Sequence, residues 1–184
     1  MLRISIVVGN PKPKSRTGAI AEMLVARLFP AASRDQRLID LADHAADLFA
    51  WPSDAMAELN KSVAESDLVV FASPTYKASY TGLIKAFLDR YPANGLKNVV
   101  AIALMTGAGP GHAMAPTVNL VPLLMELGAV VPVRGLYFNM EKIEEAESVV
   151  DAFASEIDGS LGALRPLLNA GPERVNPATT RTGI

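Results

Sequence analysis

Short, largely apolar runs alternate along the chain with longer stretches in which apolar residues recur every three or four positions. Residues 4–8, 68–72, 99–105 and 130–136 have strand length and the near-continuous hydrophobicity of strands covered on both faces. Residues 37–41 read as a fifth strand, polar enough to lie at an edge. Between these runs, residues 17–28, 53–66, 82–90, 112–127 and 141–168 carry apolar side chains at helical spacing. Pro30 and Gly128 fall where the first and fourth helices should stop.

Five strands interleaved with helices, joined by right-handed crossovers, predict an α/β domain with a parallel sheet of order 2-1-3-4-5. The ligand crevice of such a sheet lies beyond the carboxyl ends of strands 1 and 3. Residues 1–169 are read as one domain. Residues 170–184, rich in Pro, Gly, Thr and Asn, are expected to be a mobile tail or an arm that orders on a neighbouring subunit.

Composition narrows the function. A formal charge of −2 with scattered Lys and Arg offers no basic stripe, so a nucleic-acid partner is not expected. The absence of cysteine removes disulfides, thiolate nucleophiles and Cys-ligated zinc, and His44 has no second ligand at metal-binding spacing, so no metal site is expected. The N-terminus leads straight into a strand and no apolar run has membrane-spanning length, so the expected location is cytoplasmic, away from the membrane.

Three loops at the predicted rim carry the chemistry. Gly9-Asn10-Pro11-Lys12-Pro13-Lys14-Ser15-Arg16-Thr17 joins the first strand to the first helix. It brings hydroxyls, a guanidinium and free backbone N–H groups to a helix N-terminus, where an anion is favoured. The glycine spacing matches neither a P-loop nor a dinucleotide fingerprint, and a single phosphate suits it better than a pyrophosphate. The alternative is an ordinary strand-to-helix turn with Thr17 as the N-cap. After the third strand, Ser73-Pro74-Thr75-Tyr76-Lys77-Ala78-Ser79-Tyr80-Thr81-Gly82 offers a fixed backbone and two flat faces, Tyr76 and Tyr80, suited either to a planar ring or to packing against the domain or a partner subunit. After the fourth, Met105-Thr106-Gly107-Ala108-Gly109-Pro110-Gly111-His112 lets the main chain approach a ligand, or simply builds a flexible connection.

With these residues in view, the chain resembles the NADPH-dependent FMN reductase family of the flavodoxin-like fold, and most nearly the reductases that supply two-component sulfonate monooxygenases. The segment Ser73 to Gly82, followed by Leu83-Ile84-Lys85-Ala86-Phe87-Leu88-Asp89, is the specific part of a likeness that spans roughly residues 2–138. The resemblance implies a flavodoxin-like three-layer α/β/α sandwich. It implies FMN phosphate at Ser15, Arg16 and Thr17, with Asn10 beside them where the family often has serine. The isoalloxazine would be held by Pro74, Thr75, Tyr76, Lys77 and Tyr80 and by Thr106, Gly107 and Ala108. His112 would stand either against the cofactor or as a helix cap. Hydride would pass from NADPH or NADH to FMN with no dedicated catalytic residue, because the flavin carries the chemistry.

The same resemblance implies a homodimer or homotetramer with residues 82–90 at a contact, Lys85 and Asp89 included, and a flavin-dependent monooxygenase as recipient of reduced flavin. The tyrosine insertion that gives sulfonate-linked reductases a π-bulge has no counterpart in Ala115-Pro116-Thr117-Val118-Asn119-Leu120. Its oligomer switching is therefore not carried over, and Pro116 and Pro122 are expected to disturb this helix in their own way. Two other readings compete: an FMN-bound quinone or azo-compound reductase, and a flavodoxin-type electron carrier, which the near-neutral charge disfavours.

Overall fold

The computed structural model describes residues 1–169, so the expectation for the tail lies outside the described residues. Among the described residues, β1 (Leu2–Val8), β2 (Arg34–Asp40), β3 (Leu68–Pro74), β4 (Val100–Gly107) and β5 (Leu136–Asn139) form one parallel sheet in the order β2-β1-β3-β4-β5. This is the expected doubly wound topology. Every residue of β3 is buried, as befits the central strand, whereas β2 buries only Ile39 fully and exposes Asp35, Arg37 and Leu38 at the edge.

Period-two alternation divides the core into two layers. Ile4, Ile6 and Val8 of β1 and Leu68, Val70 and Ala72 of β3 face α1 (Arg16–Leu28) and α6 (Ala146–Asn169), meeting Ile20, Leu24, Phe153 and Ile157. Val7, Val69 and Phe71 face the other way. They meet residues of the short helix α2 (Ala45–Leu48), of α3 (Asp54–Ala64), of α4 (Gly82–Leu88) and of α5 (Val121–Glu126), among them Leu48, Met56, Ile84, Phe87 and Leu124. Full burial of each such side chain stabilises the fold by about 1.5–3 kcal/mol, so the two apolar layers outweigh the exposed ion pairs in fixing the architecture.

Two segments depart from regular elements, the first against expectation and the second with it, and proline explains both. The fifth strand begins at Leu136, not at residue 130; Val130 makes only an isolated bridge to Val100. Pro132 has no N–H to give a ladder, and Gly135 is pressed against Pro116 so closely that a Cβ there would overlap the proline ring. The helical pattern over 112–127, in which Pro116 and Pro122 are expected to disturb the helix, is a 3₁₀ turn at Pro110–His112, a π-helical turn at Pro116–Leu120, and α5. Pro122 cannot donate to the carbonyl of Val118, and the wider turn is closed by the Val121 N–H reaching back five residues to Pro116 O. A π turn thus forms here without the inserted tyrosine. No helix among the described residues is long and apolar enough to cross a membrane.

Candidate active site

The carboxyl ends of β1, β3 and β4 come together through hydrogen bonds between their loops. Gly9 N–H donates to Ala72 O (2.8 Å), and Gly9 O accepts from the Thr81 hydroxyl (2.6 Å), which is the N-cap of α4. Thr75 N–H donates to Thr106 O (2.6 Å). The Thr17 hydroxyl accepts from Asn10 Nδ2 (3.2 Å) and pairs with the Thr106 hydroxyl (2.8 Å), both threonines being buried. Three loops far apart in sequence are therefore one polar assembly.

Beneath them lies a cleft of about 470 Å³ lined by the first loop from Asn10 to Thr17, Pro11 apart, by Pro74, Thr75 and Tyr76 of the second, by Thr106, Gly107 and Ala108 of the third, and by Met140. Of the residues expected to hold the flavin, Asn10, Ser15, Arg16, Thr17, Pro74, Thr75, Tyr76, Thr106, Gly107 and Ala108 line it. Lys77, Tyr80 and His112 do not. Lys77 stands exposed at the tip of a two-residue turn closed by Tyr76 and Ser79, with positive φ at Lys77 and Ala78, the pattern of a type I′ turn. Tyr80 packs against the second core layer, and His112 is exposed in its 3₁₀ turn.

The helix cap also differs from expectation. Ser15 is the N-cap of α1, accepting from Gly18 N–H at 3.3 Å, which leaves the Thr17 hydroxyl for Thr106. Upstream the loop is braced by its own side chains and by β2: Lys12 N–H donates to Asn10 Oδ1 (2.9 Å), and Lys14 N–H to Asp40 Oδ2 (2.8 Å). Lys14 is held at φ +52°, a conformation costly for a residue other than glycine or asparagine.

The donor set suits an anionic, planar ligand. Lys12, Lys14 and Arg16 line the cleft at the start of α1, and no side-chain hydrogen bond or ion pair engages them among the described residues. Three cations at a helix N-terminus make a seat for a dianionic phosphate. Thr75 Oγ1 is buried beside the cleft without a hydrogen-bond partner among the described residues, a cost normally offset when a ligand supplies one. Gly107 packs under the Tyr137 ring, so the main chain there forms the cleft wall. These residues fit FMN. Its phosphate matches the first loop and its ring the apolar and main-chain wall made by Pro74, Tyr76, Gly107 and Met140.

Sequence reasoning missed Met140, Tyr137 and Asn139, all at the end of β5. The Tyr137 phenol donates to Gly109 O (2.6 Å), while Asn139 Oδ1 accepts from the N–H groups of Gly109 (2.8 Å) and Glu141 (3.0 Å).

Comparison with known proteins agrees with this geometry. A family model described as NADPH-dependent FMN reductase matches residues 2–145. An FMN reductase (NADPH) from Pseudomonas aeruginosa is 28% identical over 93% of this chain and 95% of its own. An NADH-dependent FMN reductase, SfnF, from Pseudomonas fluorescens is 30% identical over 74% of this chain and 75% of its own. Among solved structures, the apo form of the NADH:FMN oxidoreductase EmoB superimposes with a TM-score of 0.71 at 27% identity, covering 85% of this chain and 90% of that one.

Proposed function

This chain belongs to the NADPH-dependent FMN reductase family, and on that premise we propose that its cleft binds FMN and passes hydride to it from NADPH or NADH. The observation that carries the reading is the convergence, in one cleft, of a ring-sized wall with a cationic loop whose side chains have no partner among the described residues. Arg16, with Lys12 and Lys14, takes the phosphate; Ser15 accepts as the helix cap and keeps its hydroxyl hydrogen for the ligand, Thr17 is paired with Thr106, and the charged guanidinium supplies the strongest side-chain contact. Pro74, Thr75 and Tyr76 flank the ring, and Thr75 Oγ1 gains there the partner it lacks. The chemistry FMN supplies when bound is acceptance of a hydride from the reduced nicotinamide. The chain's own task is to orient the ring and offer main-chain donors from the third loop toward growing negative charge. The purified protein is expected to oxidise NADPH or NADH only when FMN is supplied or retained. Oxidation at the same rate in flavin-free protein without added FMN would contradict the reading.

The finer assignments are part of the same proposal. Reduced flavin leaves for a flavin-dependent monooxygenase, a reading supported by the exposed rim of Lys12, Lys14 and Tyr76 and by the SfnF relative. The assembly is a homodimer or homotetramer. Met114 and Val118, four residues apart and 62% and 56% exposed, continue toward exposed Met125, and Asn119 ties this segment to the Tyr76 turn through Ala78 O (2.9 Å). Exposed large apolar side chains gathered in one segment are the kind of surface that a second subunit covers. Lys85 of α4 and Asp89, the C-cap of that helix, close an ion pair, both exposed and free to face a neighbour. Light scattering is expected to report two or four chains per particle; a fully active monomer at micromolar concentration would refute the assembly.

A further inference from the structure

Resting on the flavin reading above, we infer that Tyr137 is a positioning residue for the flavin. Together with Asn139 it clasps the third loop from behind and fixes the cleft wall made by Thr106, Gly107 and Ala108. Tyr137 does not line the cleft, so any action on a ligand runs through the loop.

The register makes the clasp possible. In the parallel β4–β5 pair, Tyr137 lies opposite Met105 and Asn139 opposite Gly107, so side chains from the last residues of β5 reach the loop that continues from β4. Both main-chain polar groups of Gly109 are taken by them. The phenol donates to its carbonyl at 2.6 Å, and the Asn139 carbonyl oxygen accepts from its N–H at 2.8 Å. Asn139 Oδ1 also accepts from Glu141 N–H, which ties the clasp to the segment carrying Met140 into the cleft. Gly109 sits at φ +121°, where few residues but glycine are found. A Cβ on Gly107 would run into the Tyr137 hydroxyl, so loop and ring are in direct contact as well as hydrogen-bonded.

Burial, with the charge of Glu141 added, holds the phenol above the ordinary tyrosine range, so Tyr137 stays a donor through neutral and moderately alkaline pH. A glycine-rich loop left to itself samples many conformations, and a ligand that orders it loses affinity in doing so. The clasp removes that loss before the ligand arrives.

The test is Tyr137→Phe, which keeps the ring and deletes one hydrogen bond, with Asn139→Ala as a second variant acting on the other Gly109 group. Tyr137→Phe is expected to weaken FMN and riboflavin by the same factor, about fivefold for one hydrogen bond, and Asn139→Ala, which removes the acceptor for both the Gly109 and the Glu141 N–H groups, by at least as much for both flavins. In flavin-free protein, amide exchange should quicken at residues 106–111 and not across the sheet. Flavin affinities within twofold of wild type would overturn the inference. So would a loss confined to FMN, which would mean a phosphate contact, or exchange that quickens throughout β4 and β5, which would mean a general structural role. A wild-type protein that binds neither flavin would instead remove the flavin reading, and exchange at 106–111 would still report whether the clasp forms.

Discussion

Arg16→Ala is expected to weaken FMN by about tenfold to a hundredfold while leaving riboflavin nearly unchanged, the loss of a charged hydrogen bond of about 1.5–3 kcal/mol. Arg16 opens α1, lines the cleft, and is exposed without an acidic partner among the described residues. Its charge is therefore available to a ligand and is not spent inside the protein. Lys12 and Lys14 share the seat and would take up part of the phosphate's charge, which favours the lower end of the range. Added salt should weaken FMN more than riboflavin for the same reason. Competition titrations of the two flavins against wild type and variant check this. Equal losses for both would mean that the first loop does not hold the phosphate.

Gly9→Ala is expected to destabilise the protein by about 1–3 kcal/mol, the usual cost of forcing a methyl into a packed site. In a chain of this size that corresponds to a fall in Tm of about 2–12 °C. A Cβ at Gly9 would collide with Ile84 Cγ1 and approach the Thr81 hydroxyl at 3.0 Å. Ile84 is fully buried and has nowhere to retreat. Because Gly9 also bonds Ala72 and Thr81, it joins the phosphate loop to the loop before α4. The substitution should therefore weaken FMN and riboflavin together, unlike Arg16→Ala. Thermal unfolding followed alongside flavin titration separates the two variants; an unchanged Tm with unchanged affinity would show that the loops are not coupled at this point.

Much of this arrangement was legible in the sequence because its cause is periodic. Seven consecutive buried residues in β3 and the largely exposed, polar character of β2 follow from which faces are covered, and a chain must write that into its apolar pattern. The first and third loops could be read for the same reason: strand ends at a switch point have a known place in such a sheet. What failed depended on a single backbone atom or on direction in space. Pro132 and Gly135 move the start of β5 to Leu136, and with it Tyr137 and Asn139 come behind the third loop and Met140 into the cleft, from residues between the predicted fifth strand and the predicted last helix. Lys77 and Tyr80 sit in the signature segment, yet a turn with positive φ at Lys77 and Ala78 carries Lys77 out of the cleft and leaves Tyr80 packed on the core. No Asn-Gly or Asp-Gly pair announces that turn, so the usual hairpin signal was missing. The π turn at Pro116–Leu120 was unreadable in the same sense: proline predicts a disturbance, while its form depends on which carbonyl finds a donor.

The central claim, that this cleft is an FMN site, is tested most directly by titrating the purified, flavin-free protein into FMN and following flavin fluorescence. Saturable quenching at one flavin per chain, relieved in the Arg16→Ala variant for FMN but not for riboflavin, is the predicted result. A signal that does not saturate, or that saturates identically in wild type and variant for both flavins, would contradict it.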